Sequence, residues 1–168
     1  MALFIVVASV FVLFMLVAAF YDLFTMTIPN ELNMAAAVLF FLTAYLAGFS
    51  AWDMAVNTTL GFAVLLIGFA MFILGWIQGG DAKLAAAVML WMGLDHGLMW
   101  FVYMGLIGGV LTMSLLFFRQ FSLPLWALRH EWITRLHHPQ TGVPYGIAIA
   151  LAAILVYPET RIFHGLVY

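Results

Sequence analysis

From Ala2 to Tyr21 the chain runs for twenty residues without a charged side chain, and its first lysine or arginine is Lys83. Twenty helical residues rise about 30 Å, the thickness of a bilayer's hydrocarbon core. Irregular backbone exposed to lipid leaves polar groups unsatisfied, so a run of this kind must be helical throughout. A secretory signal peptide would carry a basic segment before a shorter apolar core. Nothing basic precedes this run, and it is expected to be a retained transmembrane helix.

The remainder of the chain cannot form a water-soluble core either. Hydrophobic residues are 67% of the sequence and charged residues 7%, against about 45–50% and about 25% in soluble domains. Twelve charged side chains cannot cover a globule of 18.7 kDa in water. The 168 residues allow about six spans with short loops. The expected fold is therefore an all-α integral membrane protein, with residues 1–168 as a single polytopic domain. A net charge of −2 does not suit a nucleic-acid binder. The absence of cysteine excludes disulfides, thiolate metal sites and a cysteine nucleophile.

Further apolar runs are Met34–Gly48, Met54–Ile77, Ala82 to about Leu94, Leu98–Phe118 and Val143–Tyr157. Ser50–Asp53 is expected to be a tight turn, and Asp95-His96-Gly97 to separate the fourth span from the fifth. Six spans place loops 22–33, 78–83 and 119–142 on one side. That side holds Lys83, Arg119, Arg129 and Arg135, and the other holds only Arg161. The positive-inside rule then puts the first set in the cytoplasm and both termini outside. Within loop 119–142, Leu125, Leu128, Trp132, Ile133 and Leu136 fall near one helical face, with Arg129, His130, Glu131, Arg135 and His137 around the rest. An interfacial helix in contact with membrane lipid is expected there.

The acids carry the chemistry. Asp22 ends the first run and Asp81 begins the fourth, and the two spans between them return the chain to its starting side. Both aspartates therefore lie at the same boundary, at similar depth. Ionisable groups at membrane depth are costly and usually functional. Two carboxylates that share a site cannot both ionise easily. With one proton between them they can hold a water, one taking its proton while the other polarises a peptide carbonyl. That is hydrolysis without metal or covalent intermediate. Gly79-Gly80 before Asp81 is expected to permit close approach of an extended peptide. Pro29 fixes the turn after Asp22, and Asn30 is placed to cap the next helix. Lys83 either biases the charge of the pair or snorkels to the headgroups, the second reading being favoured.

With Asp22 followed six residues on by Ile28-Pro29-Asn30, and with Gln78-Gly79-Gly80-Asp81-Ala82-Lys83, the sequence resembles the type IV prepilin peptidases, polytopic aspartyl proteases. The second motif in that family is Gly-x-Gly-Asp-x-Lys, so Gln78 departs from it. Val143-Pro144-Tyr145-Gly146 is similar to a third, weaker feature. The resemblance implies that Asp22 and Asp81 are the catalytic pair, shaped by Gly79, Gly80, Lys83, Ile28, Pro29 and Asn30. It also implies an enzyme without cofactor in the bacterial inner membrane, with its active site at the cytoplasmic face. Longer members carry a cysteine-bearing insertion and methylate the product. This chain has no cysteine, and looks like the short form of tight-adherence pili and archaeal preflagellin peptidases, with no methyltransferase domain. The implied substrate is a prepilin or pseudopilin with a basic leader and a hydrophobic helix. Asp22, Glu31 and Asp81 against Lys83 would attract such a leader over about 8–10 Å.

Adjacent His137 and His138 would point about 100° apart on a helix, so these and His130 are read as interfacial or structural rather than as metal ligands. Gly105, Gly108 and Gly109 form a small-residue surface for helix packing or for a homodimer. Two other function classes compete with the peptidase: a proton- or cation-coupled transporter, and a non-catalytic subunit of a pilus or secretion machine. A transporter's acids would be expected nearer mid-membrane on broken helices.

Overall fold

The apolar runs become helices that extend into the polar intervals. The computed structural model describes residues 2–167, with side chains from residue 9. Its order is α1 (Ala2–Thr25), α2 (Asn30–Leu46), α3 (Ala51–Ile73), α4 (Gly79–Phe118), α5 (Glu131–His137), α6 (Tyr145–Val156) and α7 (Arg161–Val167). Short 3-10 turns lie at Ala127–Arg129 and Tyr157–Glu159, and the described residues contain no strand. Met1 and Tyr168, the termini expected outside, lie beyond the described residues.

A straight α4 of 40 residues would be about 60 Å long, twice a bilayer core. It breaks instead at Gly93, where φ is 62° and ψ −166°, a region essentially reserved for glycine. Asn57 on α3 secures the break: its Nδ2 donates to the Leu90 carbonyl at 2.9 Å, in the last turn before the helical ladder is interrupted. The second arm of α4 then returns to the end where the first began. Its Thr112 lines the same cavity as Gln78 and Asp81, and Leu111, Leu115 and Phe118 pack with Met26. The expected separator Asp95-His96-Gly97 is helical. Gly97 lies where a Cβ would come within 2.5 Å of Met89 Cε, so it lets the two arms close on each other.

Small residues set the spacing between α3 and the first arm. A Cβ on Gly61 would meet Leu90 at 2.6 Å, and one on Gly68 would meet Ala82 Cβ at 2.9 Å. Close backbone approach of this kind drives helix association in lipid. The core between α1, α4 and α6 is aromatic. Phe11 has ring centroids of both Trp91 and Tyr157 at 4.5 Å. The Trp91 and Trp100 indoles donate to the carbonyls of Ala36 (3.1 Å) and Ile149 (3.2 Å). Large apolar side chains also cover the outside, with Leu98 76% and Val110 68% exposed. Gly108 packs against Tyr145, while Gly105 and Gly109 face open space.

By length and apolarity, α3 and α4 suffice to cross a membrane, and α6 with α7, bent by 54°, make a third candidate. Among the described residues the expected six spans are not matched on that criterion, because Ser9–Thr25 and Asn30–Leu46 have 17 residues each and α6 only 12. Six passes along the bundle arise only when α4 is divided at Gly93. The polar intervals do separate to two ends. One end gathers 22–30, 78–83 and 119–144. At the other, Arg161 pairs with Asp53 at 3.1 Å and lies over the Phe49 ring. There Ser50 is not within a turn but caps α3, its hydroxyl accepting from the Asp53 amide at 3.2 Å. Helix α7, not anticipated from sequence, buries Ile162 and Leu166 at this end.

The single helix expected through 125–136 is two short pieces, divided at His130, whose backbone is extended (φ −109°, ψ 108°). Leu125 and Leu128 stay exposed, and Leu136 is buried near Met26 and Leu115. Tethers override the amphipathic pattern. Arg119 donates to the carbonyls of Leu136 (2.8 Å), Thr141 (2.8 Å) and Gly142 (3.1 Å). Arg135 donates to the Phe24 carbonyl at 3.0 Å.

Candidate active site

Asp22 stands in the last turn of α1, where its carbonyl accepts from the Met26 amide at 2.8 Å. Met26 takes a positive φ of 56°, uncommon for a side chain of its size, and its thioether is held against Leu115 and Leu136. The turn then sends Ile28 inward, and Pro29 (ψ 139°) starts α2. Asp81 enters from the first turn of α4. Gly79 and Gly80 are helical, and neither needs a positive φ. The backbone conformations open only to glycine are not used at either position. Gly80 instead leaves room for Ile28, which a Cβ there would approach at 3.4 Å.

The start of α6 joins the two carboxylates. Pro144 occupies the N-cap and offers no side-chain cap, leaving first-turn amides to find other acceptors. Asp22 supplies one from a helix 124 residues away: the Gly146 amide donates to its Oδ2 at 2.7 Å. Asp81 lies close enough to Asp22 for the two charges to interact. Helix N-termini favour negative groups, so α6 is aimed at the pair. Asp22 is 1% and Asp81 6% exposed. Both nonetheless line one cavity of about 460 Å3, together with Thr27, Ile28, Asn30 and Gln78. None of the described residues lining it is basic. A second cavity of about 650 Å3 shares Gln78 and Asp81 with the first.

Of the residues singled out from sequence, Asp22, Ile28, Asn30, Gly79, Gly80 and Asp81 line the smaller cavity, whereas Pro29 and Lys83 do not. Lys83 does not extend away from the protein as snorkelling would require. Its Nζ donates to Asn30 Oδ1 at 2.7 Å, tying the two motif segments together across 53 positions. Asn30 correspondingly makes no cap to α2; its oxygen is taken by a cationic donor, a stronger partner than a neutral amide. Gly146 was not singled out as a site residue. Its signal was the glycine of Val143-Pro144-Tyr145-Gly146 at the start of the last long helix. A Cβ there would lie 2.7 Å from Asp22 Oδ2, so the position has no room for a side chain. The loop histidines serve local contacts: His137 Nε2 donates to the Phe121 carbonyl at 2.7 Å, and His138 Nδ1 accepts from the Gln140 amide at 3.3 Å.

Two buried carboxylates from separate helices that line one cavity have the composition of an acid–base pair. No curated protein and no solved structure matches the chain. The model of the type IV leader peptidase family matches residues 9–113, a stretch that includes both aspartates and both cavity-lining motifs and ends before α6. That match covers well over half of the 168 residues, and the chain belongs to the type IV leader peptidase family.

Proposed function

We propose that this peptidase is an aspartic endopeptidase that removes the basic leader from prepilin-like substrates, with Asp22 and Asp81 as its catalytic pair. The observation that carries the reading is the convergence of the two buried carboxylates on one cavity, with Asp22 held there by the Gly146 amide. A water between them loses a proton to one carboxylate and attacks the scissile carbonyl carbon. The protonated partner donates to the carbonyl oxygen; as the tetrahedral intermediate collapses, the carboxyl that took the water's proton gives it to the leaving amine, and the partner recovers its own from the intermediate's hydroxyl. The roles belong to the pair rather than to named members. Gly146 orients Asp22, and Ile28 fills the space between Gly80 and Gly146.

The reading extends to placement. Six helical passes cross the bacterial inner membrane, with the loop 119–142 lying on lipid at the cytoplasmic face. Four of five Lys and Arg gather at the aspartate end, which supports that face as cytoplasmic. Residues 1–168 act as one peptidase domain without methyltransferase activity.

The test is cleavage by purified protein, reconstituted in liposomes, of a prepilin-like substrate in water enriched in oxygen-18. Direct hydrolysis puts one heavy oxygen into the new leader carboxylate, read by mass spectrometry. An intact substrate after prolonged incubation, or leader release that depends on added metal, would refute the aspartic reading.

A further inference from the structure

The larger cavity, of about 650 Å3, runs along the bundle from the aspartate end. On α3 its wall passes from Met71 through Gly68 to Val64, an interval of seven residues or about 10 Å of helix, and Gly75 in the turn beyond α3 extends it toward the aspartate end. The opposite wall is the second arm of α4, with Phe101, Met104 and Thr112. Its floor is the first arm, where Ala82 and Ala85 stand instead of bulky residues. Polar lining is concentrated at the aspartate end, where Gln78 and Asp81 belong to both cavities. The deeper part is apolar, and Met71 and Met104 supply flexible side chains that conform to varied apolar shapes.

Resting on the peptidase reading above, we propose that this cavity seats the apolar face of the substrate's hydrophobic helix, in the turns just after the scissile bond, with Gln78 as the specificity-determining residue at the junction. The occupant follows from continuity and polarity. A chain leaving the carboxylate cavity across Asp81 passes directly into an elongated apolar groove parallel to the helices. A cavity of this volume takes the side chains of one helix face, because a whole helix is about 10–12 Å across. A substrate whose cleavage site immediately precedes an apolar helix places its peptide bond at the carboxylates and its helix in the groove. Gln78 stands where the backbone must cross. It projects its amide to within 3.5 Å of where a Cβ on Gly142 would lie, and no hydrogen bond engages that amide within the described chain, which leaves it available to the substrate's extended backbone.

The absence of cysteine in this chain allows a direct test by single-cysteine substitution in it. Met104→Cys, facing the groove, and Gly105→Cys, facing open space, are each combined with Asp81→Asn. Each is oxidised with a prepilin-like substrate carrying one cysteine in the first two turns of its hydrophobic helix. The expected result is a disulfide adduct with Met104→Cys at least tenfold above that with Gly105→Cys. Equal adducts, or adducts favouring Gly105→Cys, overturn the proposal. Kinetics in the active protein add a second readout. Ala85→Phe, which fills the floor, is expected to raise KM at least tenfold with kcat within threefold, and Gln78→Gly to change the relative kcat/KM of substrates differing next to the cut by fivefold or more. Unchanged kinetics in both variants also overturn the proposal while leaving the peptidase reading intact. Failure of the wild-type protein to cleave at all would instead remove that reading, and the proposal with it.

Discussion

A methyl group at Gly146 tests the geometry of the carboxylate pair with the smallest available perturbation. In Gly146→Ala the new Cβ would lie 2.7 Å from Asp22 Oδ2, 3.0 Å from its Cγ and 2.8 Å from Ile28 Cδ1. Carbon atoms prefer separations of about 3.5–4.0 Å, so the carboxylate must retreat by about 1 Å. With Asp22 only 1% exposed, that retreat takes place among packed neighbours and stretches the 2.7 Å bond from the Gly146 amide. Hydrogen bonds to charged groups are worth about 1.5–3 kcal/mol, and a catalytic group misplaced by about 1 Å loses about 100-fold in rate. These agree on a fall of about 100-fold in kcat/KM, or about 2.7 kcal/mol. Leader release is followed by gel or mass spectrometry, with melting of the purified variant showing that the bundle remains folded. Gly80→Ala is the internal comparison, because its Cβ meets Ile28 at 3.4 Å, an ordinary contact; it is expected to stay within fivefold of wild type. A folded Gly146→Ala protein with activity within threefold of wild type, or an equal loss in Gly80→Ala, would refute the assigned geometry.

Other perturbations separate the site from the scaffold. Gly93→Ala forces a side chain into φ 62°, ψ −166° with a Cβ 3.0 Å from the Asn57 amide; denaturant unfolding in micelles should show a loss of at least about 1–3 kcal/mol. A double-mutant cycle on Lys83→Met and Asn30→Ala, both exposed partners of one 2.7 Å hydrogen bond, should give a coupling of about 0.2–1 kcal/mol in stability. Ser50→Ala removes the cap of α3 at the end opposite the aspartates and should cost about 1 kcal/mol of stability, with the cleavage rate unchanged within twofold.

The placement of Asp22 and Asp81 at one end was legible because it depends only on the parity of apolar runs, a property of the order of the chain. The two motifs were legible as local patterns, and their residues Ile28, Asn30, Gly79 and Gly80 do line the cavity. Contacts made across long separations were not. The Gly146–Asp22 bond spans 124 positions and the Lys83–Asn30 bond 53, and neither leaves a periodic trace. The fourth run is expected to end near Leu94, shortened by Gly93, which is where α4 breaks, whereas Asp95-His96-Gly97, read as punctuation, is helical. What the local pattern does not encode is the partner that secures the break at Gly93, Asn57 on α3. In residues 125–136 the amphipathic pattern favoured one helix, and the tethers from Arg119 and Arg135 to distant carbonyls imposed another path. Helix α7 was too short to show a period, and its burial of Ile162 and Leu166 is purely tertiary.

The catalytic claim meets its most direct test in single-turnover cleavage by Asp22→Asn, Asp81→Asn and the double variant, each reconstituted like the wild type. The carboxamide keeps the shape of the side chain and removes its proton chemistry. Each single variant is expected to lose about 10²–10⁴-fold in rate, and the double variant to be no slower than the worse single one by more than a few-fold, since members of one catalytic unit are not additive. Wild-type rate in either single variant would contradict the assignment of the two carboxylates as the catalytic pair.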